Sequence, residues 1–205
     1  MGPTNTPSCD CPHRDRGSSD SRVPRRAVLA CVGAAGAASV AGCLGGDTGA
    51  SSEAISVTDA ASCDECGMVI SNHPGPNGEI YWADADPEGH DAPFWFDSLK
   101  QCFFPHYFEG TDRGQELAAA YVTDYSAVDY DVSTKNGESY ITSHTDADAF
   151  GPAKDLDYVV ESEVTGAMGP DFVPFGDESD ATAFADEYDG TVVAFADVKP
   201  ALTGK

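Results

Sequence analysis

Basic residues are scarce in this chain of 205. Eleven Lys and Arg face 35 Asp and Glu, a formal charge of −24. A surface of that sign repels nucleic acid and anionic lipid, which excludes both as partners. Long apolar runs are missing too. Residues 27–41, the run nearest the N-terminus, are rich in Ala and Gly and fall short of the roughly 20 apolar residues that cross a bilayer, so a permanent transmembrane helix is not expected. Methionine is rare, with Met68 and Met168 the only two after Met1. A second Cys or His pair is absent, which counts against a four-ligand structural zinc site. The closely spaced Cys, His and Met of a blue-copper centre are likewise absent near the end of the chain.

The N-terminal segment is organised for export. Arg25-Arg26 precedes the apolar run, which closes on Val40-Ala41-Gly42-Cys43. This pattern is a twin-arginine lipoprotein signal over residues 1–42, with Cys43 the lipidated residue after cleavage. The alternative is an ordinary cysteine beside a peptidase site. Residues 43–54, rich in Gly, Ser and Asp, form a flexible lipid-anchored tether. Cleavage would leave six basic against 32 acidic residues, a charge of −26 over 163. The acids are spread along the chain rather than clustered, which fits a halophilic surface screened by high salt. Beyond Cys43 only Cys63, Cys66 and Cys102 remain, an odd number that no simple disulfide framework uses up.

The pattern of elements predicts an α+β fold of two small related lobes, each of β-β-α-β order. Residues 55–125 form the first lobe, 126–156 an acidic connecting region and 157–200 the second lobe. In the first, residues 55–57 read as a strand. Asn77-Gly78 reads as a hairpin turn between an arm at 68–70 and a return strand at 79–84. A helix is predicted over 98–108 with Asp97 or Ser98 as N-cap, and Cys102 lies within it, more readily as a small core residue than as a ligand. A strand at 140–142 and a solvent-exposed His144 belong to the connecting region. In the second lobe a strand at 158–160 leads to a Gly-rich turn holding Met168. A helix over 179–188 stops at Asp189-Gly190, and 191–196 is the last strand.

The chemistry gathers at Cys63-Asp64-Glu65-Cys66-Gly67-Met68. Two thiols and a thioether within six residues are soft donors, which select Cu(I), zinc or iron–sulfur over hard cations. A thiol–disulfide motif would sit at a helix N-terminus, whereas this pair leads into Gly-Met and an extended arm. Cu(I) needs only two or three soft ligands, and a site with few ligands stays open to an incoming donor. An exported thiol–disulfide oxidoreductase using Cys63 and Cys66 is the competing class.

With these residues in view, the chain resembles the NosL family, copper-binding accessory lipoproteins of nitrous oxide reductase maturation. The matching stretches are Cys63 to Met68, His73-Pro74-Gly75-Pro76-Asn77-Gly78-Glu79-Ile80 and Phe94-Trp95-Phe96-Asp97-Ser98. Tyr121-Val122-Thr123-Asp124, Gly166-Ala167-Met168-Gly169-Pro170 and Val173-Pro174-Phe175 follow in order. The resemblance implies two related lobes and no enzymatic activity. It implies Cu(I) binding and transfer to the reductase maturation machinery, together with a membrane transporter complex, on the outer face of the cell membrane. Carried over by position, Cys66 and Met168 are copper-associated, with Met68 and His73 as further candidates. Cys63 is a ligand, a disulfide partner of Cys66 or a bystander.

Overall fold

Gly78–Trp82 (β1) is the centre of the first sheet, and all five of its residues are buried. The computed structural model describes Gly2 and residues 52–203. Arg25 and Arg26, expected from the sequence to form an export signal, and the lipidation candidate Cys43 lie outside the described residues. β1 pairs antiparallel with Phe94–Phe96 (β2) on one side and Leu117–Thr123 (β3) on the other. After β2 the chain enters a π-helical turn, Leu99–Phe103, that continues as Phe104–Asp112 (α1). Leu99, Phe103 and Phe104 point inward from this helix and are fully buried, which packs it onto the sheet.

Val132–Lys135 (β4) and Glu138–Ile141 (β5) form a hairpin, and Phe150–Pro152 (β6) completes the first sheet in the order β2-β1-β3-β6. Asp157–Val160 (β7) opens the second half. It is followed by Val164–Gly166 (β8), Gly169–Pro170 (β9), Val173–Phe175 (β10), Glu178–Glu187 (α2) and Thr191–Ala194 (β11). β7 sits between β10 and β11, while β8 and β9 extend the β4–β5 hairpin through a parallel β5–β8 pair. The fold is mixed α+β, as predicted. The order strand, strand, helix, strand occurs as β1-β2-α1-β3 and again as β7-β10-α2-β11, with β8 and β9 inserted in the second run. The main core draws on both: Phe104 packs its ring against Tyr158, Phe172 and Phe195 at centroid distances of 5.4, 5.7 and 5.5 Å.

Three local expectations are corrected. Residues 55–57 are not a strand; Val57 bonds through its amide to Thr145 O, and Ile55 through its amide to the Glu79 carboxylate. The Asn-Gly hairpin exists, but at Asn136-Gly137, where both residues have positive φ (56° and 90°), as a type I′ turn requires. Asn77-Gly78 is something else. Asn77 buries its amide side chain against Ser143 and His144 O, and Gly78 begins β1. A Cβ on Gly78 would lie 2.6 Å from Phe103 Cδ2, so the glycine lets the helix approach the strand. His144 is half-buried rather than exposed, its ring edge against Tyr125.

Candidate metal centre

The sulfur motif is itself a tight turn. Ser62 and Val69 bridge across its base; Cys63 N–H donates to Met68 O and Gly67 N–H to Cys63 O, both at 2.8 Å. Gly67 takes φ +76°, a value that only glycine adopts without cost. The predicted hairpin arm at 68–70 is thus replaced by one bridge residue and a short helical turn, Ile70–Asn72. The two residues between the cysteines anchor the turn. Asp64 accepts from Trp95 N–H at 2.6 Å while its own amide donates to Trp95 O. His90 stacks on Trp95 and contacts Asp64 Oδ1 at 3.0 Å. Glu65 Oε1 lies 2.9 Å from His106 Nδ1. Trp82 Nε1–H donates to His106 Nε2, so Nδ1 carries the hydrogen that reaches Glu65. His106 is therefore a strut of the loop, with both ring nitrogens engaged.

This anchoring sets the cysteines against the end of β2. Asp97 follows that strand, and Ser98 caps the π-helical turn by accepting from Gln101 N–H. The wider turn, closed by Phe103 N–H to Ser98 O, presents Cys102 beside Asp97. The donor atoms of Cys63, Cys66, Asp97 and Cys102 all lie within 4.8 Å of one another. Cys66 Sγ is 3.4 and 3.5 Å from the two Asp97 oxygens. Cys63, Asp97 and Cys102 are buried, and Cys66 is exposed. Burial pushes the Cys66 thiol up to about 12. The hydrogen bond between Cys102 and Cys63 is the main cause of two opposite shifts: it holds Cys63 below its ordinary value and drives Cys102 well above. Burial adds to the rise of Cys102. Beside Cys63 a cleft of about 780 Å³ runs past Asp64, His90, Phe94, Trp95 and His106.

Met168 arrives from the second half. Ala167 and Met168 are the tip of the β8–β9 hairpin, where Gly166 pairs with Gly169. Met168 is 42% exposed, yet its sulfur accepts from the Cys102 thiol at 3.7 Å. Two devices hold that hairpin in place. A Cβ on Gly75, in the His-Pro-Gly-Pro stretch, would lie 2.5 Å from Gly166 Cα, so glycine there permits direct backbone packing. Asp171 Oδ1 accepts from Lys100 N–H at 2.7 Å and Phe172 N–H at 2.8 Å, tying the hairpin's far end to the turn that carries Cys102.

Of the candidates read from sequence, Cys63, Cys66 and Met168 converge. Met68 shapes the turn through its backbone, and its side chain is half-buried at the turn's end. His73 is half-buried in the following loop and is not a member of the donor cluster. Asp97, expected only as a helix cap, joins the cluster, and so does Cys102, for which core packing was the first reading and ligation the second. The one available signal was the unpaired third cysteine; nothing in spacing alone identifies a π-helical turn. The arrangement differs from that of a thiol oxidoreductase, since the Cys63–Cys66 pair sits in a turn rather than at a helix N-terminus and Cys63 is buried.

The NosL family model matches residues 54–203, nearly the whole described chain. The chain belongs to the NosL family. It is 30% identical over 138 residues to the copper-binding lipoprotein NosL of Achromobacter cycloclastes, covering 67% of this chain and 63% of that one. To the copper-binding lipoprotein NosL of Stutzerimonas stutzeri it is 26% identical over 150 residues, covering 73% and 68%. The chain thus spans a little under two thirds of the length of the first relative. Among solved structures it is similar to the crystal structure of the copper chaperone NosL from Shewanella denitrificans. There the TM-score is 0.54 at 25% identity, covering 73% of this chain and 97% of that one.

Proposed function

We propose that this NosL protein carries Cu(I) and supplies it to the maturation of nitrous oxide reductase. The carrier is tethered through Cys43 to the extracytoplasmic face of the cell membrane and works with the transporter complex of that pathway. It is a binding protein with no reaction of its own. The observation that carries this reading is the graded sulfur set: buried Cys63 and Cys102, exposed Cys66, and the Met168 thioether at the rim, 3.7 Å from Cys102. Soft donors of this kind retain Cu(I), and the exposed pair leaves a face from which an incoming sulfur ligand can take it. The copper-binding names of the relatives support the same cargo. The twin-arginine signal around Arg25 and Arg26 and the acid-rich surface support export into a salty medium.

The test is competition for Cu(I) against a chromogenic chelator, using reduced protein without air. Stoichiometric uptake is expected, weakened by about 10-fold or more in Cys66→Ala and in Met168→Ala. No uptake, or uptake unchanged in both variants, rejects the assignment.

A further inference from the structure

The two faces of β1 are covered differently. Gly78, Ile80 and Trp82 turn to the main core and α1, so Glu79 and Tyr81 alternate to the opposite face. Trp95 and Tyr121 stand opposite Glu79 on β2 and β3 and share that face. Ser52–Ile55 crosses it as a strap and forms no ladder with the strands beneath. Tyr121 OH donates to Ser52 O and Tyr81 OH to Glu53 O, both at 2.8 Å, and Ile55 N–H donates to Glu79 Oε2 at 3.2 Å. Apolar burial adds little, because Ala54 is half-buried and Ile55 is 39% exposed. The next two residues are fixed: Ala147 N–H donates to Ser56 Oγ, and buried Val57 donates through its amide to Thr145 O. We propose that Ser52–Ile55 is a releasable clasp, which peels from Tyr81, Tyr121 and Glu79, pivots at Ser56-Val57 and lengthens the tether that precedes it.

Segments with few buried apolar contacts are the ones that open locally. Four freed residues add about 13 Å of contour to the roughly 30 Å at most that separates Cys43 from Ser52. That gain in reach rests on the tethered-carrier reading; the clasp itself does not. The donor loop keeps its place when the strap peels, because Ser62 and Val69 bridge and Ile70 N–H donates to Ala61 O beyond the pivot. Glu79 supplies the trigger. Its side chain is fully buried, and Oε1 and the neighbouring Trp95 Nε1 both lack a hydrogen bond. The groups around it bring no fixed cation. Tyr81 and Tyr121 flank it, Glu53, Asp86 and Asp91 line the adjoining cleft, and on the β2 side His90 stacks on Trp95 and contacts Asp64. Burial raises the Glu79 carboxyl to about 7 from an ordinary 4.5. Opening wets the carboxylate, so ionisation favours the open form and rising pH loosens the clasp. A carboxyl that ionises at about 7 when clasped and about 4.5 when wet biases opening by up to about 200-fold between pH 4 and pH 8.

Amide hydrogen exchange on the full chain reads the clasp through the Ile55 amide. Corrected for the intrinsic pH dependence of exchange, protection at Ile55 is expected to fall by at least about 10-fold from pH 4 to pH 8, with the β3 amides more protected throughout. Glu79→Gln keeps an acceptor for Ile55 N–H and cannot ionise, so the pH dependence at Ile55 should vanish. Tyr81→Phe combined with Tyr121→Phe should lower Ile55 protection at pH 4 by about 5-fold for each hydroxyl lost. That double variant carries the test if circular dichroism shows Glu79→Gln unfolded. Ile55 exchanging at the rate of the β3 amides at both pH values overturns the clasp, because the strap would then open only with the whole fold. Ile55 protection independent of pH in the parent overturns it as well. The expected exchange pattern in a chain whose Cys43 carries no lipid upholds the clasp and overturns only the gain in reach.

Discussion

Glu79 shows how much one buried side chain costs here. It lies in the middle of β1 opposite Trp95, with Oε2 accepting from Ile55 N–H at 3.2 Å and Oε1 without a partner. The Trp95 indole favours the charged form but makes no hydrogen bond of ordinary length. Burial dominates and raises the carboxyl to about 7 from an ordinary 4.5. The folded state therefore holds a proton that the unfolded chain has released between those values. Stability contributed by this group is greatest at low pH, falls as pH rises from about 4.5 to about 7, and is flat above. Glu79→Gln removes that slope. Relative to the parent, the variant should gain up to about 3 kcal/mol at pH 8 and nothing at pH 4, read from urea midpoints. An equal difference at both pH values would contradict it. Asp171, raised by burial to about 6, has the same sign and persists in the variant as a smaller residual slope.

Among the elements, the π-helical turn decides the site. Ser98 O accepts from the Cys102 amide at 3.3 Å and from the Phe103 amide at 3.0 Å, so the turn widens to five-residue spacing and holds Cys102 beside Asp97 and Met168. Ser98 begins the turn by capping Gln101 N–H, and Asp171 seals it by accepting from Lys100 N–H. Ser98→Ala should cost about 1 kcal/mol of stability. Local opening should grow with it, so amide exchange at Gln101 and Cys102 is expected to rise more than in α2. Uniform acceleration across both helices would mean that the cap merely adds to global stability. The glycines act at this scale as well. Gly75 and Gly78 are conspicuous as turn formers in sequence, yet both serve close approach, one to the Met168 hairpin and one to Phe103.

The whole molecule depends on two forces of unequal reach. Short-range packing joins the two halves through the ring cluster around Phe104, and this shared core sets Met168 against Cys102 across 66 residues of sequence. Long-range repulsion opposes it, at a formal charge of −24. Screening lengths shrink from about 10 Å at 0.1 M salt to about 3 Å at 1 M. Thermal midpoints should therefore climb steeply with KCl across that range and level off beyond it, where the repulsion is already screened. A midpoint independent of KCl would show that the acids are compensated within the fold.

Much of this protein is legible in one dimension. The α+β class, both helices and the strands β1, β5, β7 and β11 follow from apolar periodicity and turn residues, which are local properties. The soft-donor chemistry of Cys63 and Cys66 follows from residue type and spacing, while Met168 was named through the family resemblance. Tertiary structure alone decided which donors meet. Asp97 and Cys102 join the cluster because a π-helical turn and a clamped Cys-x-x-Cys loop converge on the end of β2, and neither the turn nor the clamping has a sequence signature. The same limit misplaced the hairpin: Asn77-Gly78 and Asn136-Gly137 are identical dipeptides, and only the sheet, by packing Phe103 on Gly78, determines which one turns the chain.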